Sequence, residues 1–430
     1  MGLFFVKKLR SFAATNKKNA PLPMKNIILF DNETRNQLLP LTYTRPIGEL
    51  LVGIVTLREK WERKLGGRVS YITQEYLVDK FPINIKEDNY VIDGSIVPTD
   101  ELCAQINELE DNQALLQDGE LIAARMDEEQ FEKMLNNEEI SELQGIETTL
   151  LHNVRKITHL WDLFVLNAEA IEQDFAMLTK KRVSQPLSES NRVIGDEKLI
   201  FLEEGAKVEC SILNTNNGPI YIGKNAEIME GSAIRGPFAM GEGSTIKMMS
   251  KIYGATSLGP DCKVGGEVSN SILIGHSNKA HDGFLGNSIL GEWCNIGADS
   301  NNSNLKNNYD EVKLWSYTTD NFATTGLQFC GLIMGDHSKC GINTMFNTGT
   351  VVGVSANIFG AGFPRNFIPS FSWGGAAGFT TYSLDKAADS ARRVFDRRKI
   401  IFDEVERSIL ENIFNYSAKY RSWEKPKTAE

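Results

Sequence analysis

"IGKNAEIMEGSAIRGPFAMGEGSTIKMMSKIYGATSLGPDCKV", residues 222 to 264, carries an aliphatic side chain at every sixth position. Ile222, Ile228, Ile234, Met240, Ile246, Ile252, Leu258 and Val264 follow one another without a break. A helix repeats at 3.6 residues and a plain strand at 2, so neither explains a beat of six. A hexapeptide repeat does, with one short strand and one turn per unit and one aliphatic residue pointing inward. Stacked coils bury those residues in a continuous column, and Gly or Asn takes the tight corners. The beat returns at Leu290 and Ile296, and again at Met334, Cys340, Phe346, Val352 and Ile358. Glycine marks the same territory: 28 of the 36 glycines fall between Gly195 and Gly378. The reading is a parallel β-helix over residues 190–380.

On the N-terminal side the pattern changes. "IILFD" (27–31) and "RVSYIT" (68–73) read as buried strands, separated by a helix around Gly48 to Lys64. "NYVIDGSIVPTDEL" (89–102) reads as a strand, a turn and a helix start. Alternating strands and helices predict a small, Rossmann-like α/β domain over 24–182. It includes a linking helix of about six turns in "HLWDLFVLNAEAIEQDFAMLTKK" (159–181). "SQPLSESN" (184–191) then reads as a hinge. On the C-terminal side, residues 301–329 interrupt the beat, and a long insertion on one face of a solenoid is often functional. After Gly378 glycine vanishes, and residues 383–423 read as a C-terminal helix with Ser383 at its N-cap. Phe402, Val405, Ile409, Ile413, Tyr416 and Tyr420 form one apolar stripe on it. The basic cluster Arg392, Arg393, Arg397, Arg398 and Lys399 reads as a solvated helix face, with the phosphates of coenzyme A as the alternative.

Composition narrows the class. A chain of 430 residues with 41% hydrophobic and 24% charged residues is that of a soluble globular protein of two or three domains. Its net charge of −10 argues against non-specific binding to nucleic acid or acidic membranes. Six scattered cysteines without a CxxC pair read as reduced thiols in a cytoplasmic protein. Residues 1–23 hold a five-residue apolar run ahead of the basic cluster, which is not a signal peptide. Val6 stands where a myristoylation motif needs Ser or Thr. The segment reads as a disordered tail, or translation starts at Met24. No stretch is long and apolar enough to span a bilayer as a helix.

An α/β domain, a linking helix and a hexapeptide solenoid together resemble a bifunctional family, the N-acetylglucosamine-1-phosphate uridyltransferase / glucosamine-1-phosphate acetyltransferase family. The likeness covers residues 24 to 380. It is greatest to the variant sugar nucleotidyltransferase branch of Bacteroidetes-type bacteria, whose signature "LTYTRP" (41–46) resembles. That resemblance implies a left-handed β-helix, a homotrimer, and acetyl-CoA lying between adjacent coils. The family's acetyltransferase motif, a His, a Leu-Gly step and Asn-Ile-Gly-Ala, is matched by His281, Leu285-Gly286 and Asn295-Ile296-Gly297-Ala298. By the resemblance His281 is the catalytic base, Asn295 and Asn304 bind substrate, and Glu267 lines the same pocket. Lys251 lies near the family's phosphate-binding arginine. Two tyrosines of the pattern are replaced by Phe284 and Leu305, and a basic residue by Ser269. These losses weaken the case for glucosamine-1-phosphate itself as the acceptor.

The chemistry stands beside the resemblance. Acetyl transfer to an amine needs a base, and an imidazole with an ordinary pKa near 6.5 supplies one at neutral pH. Asn295 and Asn304 read equally as sugar ligands or as corner residues in left-handed conformation. A zinc enzyme is the rival for "HSNKAH" (276–281), but it needs a third histidine about two coils upstream, and Met240 is there. In the first half, nucleotidyltransferases place a Gly-rich phosphate loop after the first strand. Here that loop has no glycine before Gly48, so Arg35 and Arg45 are the candidate phosphate forks, and Asp93 the candidate Mg2+ ligand. Each also has a bland reading, as a surface ion pair or a turn former. The expectation is a sugar-phosphate transferase of UDP-N-acetylglucosamine-type biosynthesis. It comprises an acetyl-CoA-dependent N-acetyltransferase on an amino-sugar 1-phosphate and a uridylyltransferase using UTP. The alternatives are a non-catalytic nucleotide-sugar-binding scaffold, or nucleotidyl transfer alone.

Overall fold

The computed structural model describes residues 24–135, 143–148 and 154–424. The N-terminal tail expected over 1–23 lies outside them. The chain divides into two compact units: residues 24–32 with 57–156, and residues 33–56 with 157–424. In this division the linking segment 157–182 falls with the second unit. A 24-residue segment following the first strand folds with the second unit.

The first unit is one six-stranded sheet. Its strands run in the order Gly67–Ile72, Lys25–Phe30, Asp88–Asp93, Glu120–Asp127, Gln113–Gln117, Gln144–Glu147. The first three are parallel. Glu120–Asp127 runs antiparallel to both of its neighbours. Alternate residues of one strand serve two cores. Ile27 and Leu29 join Trp61, Ile92, Leu102 and Ile106 on one side. Ile28 joins Val91, Met126 and Phe131 on the other. That alternation is the period of two that a sheet covered on both faces requires. Helix Asp100–Glu108 starts where "PTDEL" places it, with the Thr99 hydroxyl accepting from Leu102 N at 3.1 Å. The helix expected at Gly48–Lys64 is shorter, Leu57–Leu65. Gly53, at φ +82, instead turns a small hairpin between Leu51–Val52 and Val55–Thr56.

The second unit is the expected parallel β-helix. A nine-stranded sheet from Ile200–Leu202 to Phe367–Ile368 forms its first face. A ten-stranded sheet from Lys207–Val208 to Gly378–Thr381 forms the second, and a six-stranded sheet from Arg192–Ile194 to Phe284–Gly286 the third. The pair Asn301–Asn302 and Met345–Phe346 stands apart from these. All eight residues of the opening column are buried in one core, Ile222, Met240 and Leu258 on the first face, Ile228, Ile246 and Val264 on the second, and Ile234 and Ile252 on the third. Beyond Val264 the column continues through shorter corners, as Val268, Leu273, Lys279, Leu285, Leu290, Ile296 and Asn302. Two of these are polar. Corner residues in the left-handed region include Asn225, Asn270, Asn287 and Asn343, but neither Asn295 nor Asn304.

The linking helix is two helices, Asp162–Val165 and Asn167–Thr179, split at Leu166. The second one staples the Gly53 hairpin to the prism. Asn167 Oδ1 accepts from Gly53 N at 2.7 Å and from the Ser257 hydroxyl at 3.1 Å, while its Nδ2 donates to Ala255 O at 2.9 Å. The single C-terminal helix expected over 383–423 is also two, Leu384–Arg397 and Glu404–Tyr416. Lys399, at φ +58, breaks it, and Asp403 caps the second piece by accepting from Glu406 N. Ser383 holds the cap position without a side-chain hydrogen bond. Of the apolar stripe, Ile409 and Ile413 are buried and Tyr416 is exposed.

Candidate active site

His281 sits in the turn between Asn278–Lys279 on the second face and Phe284–Gly286 on the third. Its ring is exposed and makes no hydrogen bond or ion pair among the described residues. Its carbonyl is held from inside the prism, where Lys279 Nζ donates to His281 O at 2.5 Å. Lys279 occupies the inward position in register with Val264 and is 2% exposed. Burial pulls its ammonium down to about 8, against the opposing influence of Asp282 and Cys340. A buried lysine therefore fixes the turn that presents the histidine. The sequence reading gives Lys279 no role. The signal was there, since it lies six residues after Leu273 and six before Leu285, on the inward beat.

The other expected residues flank this corner on two faces. On the third face Lys251, Glu267 and Phe284 are in register on successive coils. Lys251 Nζ lies 3.2 Å from Glu267 Oε2, and the Tyr253 hydroxyl donates to Glu267 Oε1 at 2.6 Å. These two donors, Tyr253 first, hold the Glu267 carboxyl below its ordinary range. The Tyr253 phenol is pushed up to about 12 by the same bond. Tyr253 is a polar neighbour that sequence reasoning missed. Asn304 Nδ2 donates to Asn287 Oδ1 at 2.8 Å, near Gly286. Asn295 lies on the second face, where its Oδ1 accepts from Asn278 Nδ2 at 2.8 Å. The third-face ladder ends here because Asn301 and Asn302 side chains accept from Phe284 N and Gly286 N. The same corner of the prism, followed along its axis, exposes Met248 (63%), Met249 (73%), Ile342 (72%) and Phe359 (42%).

Arg45 is not presented to solvent. Its guanidinium is buried against Asp336 and 3.3 Å from Glu292, and the Thr44 hydroxyl donates to Asp336 Oδ2 at 2.8 Å. Burial opposes its charge, but the carboxylates of Asp336, Glu292 and Glu49 raise its pKa overall. Arg35 is also buried, with Nη2 donating to Thr42 O at 2.6 Å. In this arrangement both arginines build the segment 33–56 and leave no open fork for a phosphate. Asp93, in the other unit, is 1% exposed. Its Oδ1 accepts from Ser95 N and Oγ, its Oδ2 from Asn32 Nδ2, and Lys156 Nζ stands 3.8 Å away. Burial nevertheless raises its pKa. Three hydrogen bonds and burial thus engage this carboxylate within its own unit. No group of three His, Cys, Asp or Glu that could hold a metal occurs among the described residues, His276 included. Of the basic cluster, Arg392 pairs with Asp389, and Arg398 docks on the prism through Asp261 O at 2.9 Å.

Comparison with known proteins adds the lineage. Residues 27–183 match the family model described as sugar nucleotidyl transferase. The chain is 27% identical over 171 residues to the bifunctional protein GlmU of Methanocaldococcus jannaschii, covering 40% of this chain and 34% of that one. It is 30% identical over 165 residues to the bifunctional sugar-1-phosphate nucleotidylyltransferase/acetyltransferase of Sulfurisphaera tokodaii, covering 38% and 40%. The chain thus spans well under half the length of these relatives. Among solved structures, an Arabidopsis UDP-N-acetylglucosamine acyltransferase aligns at 14% identity and a TM-score of 0.27, over 57% of this chain and 86% of that one. Residues 27–183 are thus similar to sugar nucleotidyl transferases, and the chain shares partial similarity with bifunctional nucleotidylyltransferase/acetyltransferases.

Proposed function

We propose that this protein is a sugar-phosphate transferase of nucleotide-sugar biosynthesis whose β-helix N-acetylates an amino-sugar 1-phosphate with acetyl-CoA. The observation that carries the proposal is the placement of His281, an unpaired, exposed imidazole on a turn anchored from within by Lys279. In the proposed step the sugar amine attacks the thioester carbonyl carbon and its proton passes to the His281 ring. The carbon–sulfur bond breaks, and coenzyme A leaves as the thiol after taking up a proton. A positioned base is worth roughly 10²–10⁴ in rate. Lys251 supplies an exposed cation for the sugar phosphate, Glu267 holds it in place, and Asn295 and Asn304 present amides on the flanking faces. The exposed apolar residues along the His281 corner support a homotrimer in which a neighbouring copy closes the site. A cytoplasmic setting would supply acetyl-CoA and keep the six free thiols reduced.

The first unit carries the proposed uridylyl transfer from UTP to a sugar 1-phosphate, supported by the family match over 27–183. Arg35, Arg45 and Asp93 are engaged in structural bonds, so no step is assigned to them or to a metal ion. A nucleotide-sugar-binding scaffold without turnover is favoured by these engaged groups and by Phe284 and Leu305.

The deciding experiment measures thiol release from acetyl-CoA across a panel of amino-sugar 1-phosphates, with wild type and His281→Ala. Release that falls about a hundredfold or more in the variant is expected. Release untouched by the substitution removes the base assignment, and no release with any acceptor favours the scaffold. Pyrophosphate release from UTP and N-acetylglucosamine-1-phosphate tests the first unit separately.

A further inference from the structure

Beyond Asn304, the insertion at 301–329 is not used by the His281 chemistry, yet it is well built. Lys313–Ser316 and Asn321–Thr324 form an antiparallel hairpin within it. Trp315 of that hairpin stacks on Phe367 of the first face, with centroids 4.1 Å apart and planes 8° from parallel, and Phe322 stands nearly perpendicular to it at 5.4 Å. Tyr420, from the C-terminal segment, closes the cluster against Phe367 and Trp315. Two depressions meet at Trp315, Phe367 and Arg365. One has a volume of about 600 Å³ and the other about 520 Å³.

The charge of this groove runs against that of the chain. The net charge is −10, yet Lys306, Lys313, Arg365 and Lys419 line the two depressions and no carboxylate does. Lys306 donates to Glu311 O and Lys419 pairs with Asp320. Lys313 and Arg365 are exposed and have no ion-pair partner among the described residues. The second depression is floored by the turn Gly375-Ala376-Ala377-Gly378, whose short side chains leave its space open beside Trp423. Aromatic faces beside unpaired cations recognise a flat ring that carries phosphate.

We propose that this groove binds a nucleoside diphosphate group, its ring against the Trp315–Phe322 side and its phosphates on Lys313 and Arg365. Two sources share that chemistry, a nucleotide-sugar and the adenosine diphosphate end of a coenzyme A thioester. The inference goes beyond the acetyl-transfer proposal, and it is tested by binding rather than turnover, so the two can fail independently.

The test is calorimetric titration of the full chain with UDP-N-acetylglucosamine, with acetyl-CoA and with inorganic pyrophosphate. Wild type is compared with Lys313→Ala/Arg365→Ala and with Phe322→Ala, both at exposed positions. At least one nucleotide ligand is expected to bind, with about tenfold weaker affinity in the double variant and weaker affinity in Phe322→Ala. The ligand that responds names the source. Binding that neither variant weakens, pyrophosphate binding as tightly as the nucleotides, or no binding at all would overturn the proposal.

Discussion

Lys279→Met is the substitution that most directly probes how the prism presents its histidine. The ammonium sits in a column otherwise made of aliphatic side chains, and burial lowers its pKa from 10.5 to about 8. That difference, at about 1.4 kcal/mol per pH unit, makes the charged form cost about 3 kcal/mol of folding stability at pH 7. Methionine keeps the unbranched shape and removes the charge. It also leaves His281 O without its 2.5 Å partner, which costs about 1 kcal/mol. The variant should therefore be about 2 kcal/mol more stable than wild type at pH 7. Between pH 8 and 10.5 the folded lysine has lost its proton while the unfolded one keeps it, so wild-type stability gains on the variant as pH rises. Above 10.5 the order should reverse, because only the lost hydrogen bond remains. Urea unfolding at pH 7, 9 and 10.5 measures the difference. Acetyl transfer, in contrast, should fall roughly tenfold, since the His281 turn loses its inner tie. A variant less stable at pH 7, or a difference that does not move with pH, would refute the reasoning.

Three further outcomes follow from the same unit. Arg45→Ala strands the buried carboxylate of Asp336 and should cost about 3–5 kcal/mol, read by urea unfolding; a change below about 1 kcal/mol would show that water reaches the pair. Burial first, against Glu292 and Asp261, lowers the pKa of His276, whose ring stacks on Trp293 at 4.1 Å. The folded state thus resists a proton that the unfolded state takes up, and stability should decline as pH falls below about 6.5. His276→Asn, whose side chain tolerates the φ of +52 there, should flatten that decline in acid-induced unfolding monitored by circular dichroism. Gly53→Ala should lower the thermal midpoint by several degrees, because φ is +82 and an added Cβ would collide with the Ala170 backbone and the Asp174 carboxylate.

The prism was legible because a period of six belongs to no simple helix or strand, and each of the eight residues from Ile222 to Val264 points inward. The beat was lost between Val264 and Leu290 for two physical reasons. Shorter corners move the inward positions to Val268, Leu273 and Leu285, and Lys279 breaks the aliphatic pattern while holding its place. The surroundings of Arg45 were not legible for another reason. A loop without glycine after a first strand suggests a phosphate fork, but its partner Asp336 lies 291 residues away and no local pattern announces it. Asp93 lies at a strand end, as expected, yet its hydrogen bonds depend on Asn32 and Ser95 folding around it. The two-piece helices at both ends of the prism broke at Leu166 and Lys399, where apolar spacing continued through the break.

The attachment of residues 33–56 to the prism has a consequence for anyone who would divide this gene. A polypeptide ending in the expected hinge would carry Thr44, Arg45 and the Gly53 hairpin away from Asp336, Ser257 and Ala255, their long-range anchors. The excised front half would expose the orphaned Arg45 guanidinium, and the back half the unpaired Asp336 carboxylate it left. Co-expressed as separate polypeptides, the two pieces should find each other, and a graft of this front half onto a foreign solenoid should succeed only if the counterparts of Asp336, Ser257 and Ala255 travel with it.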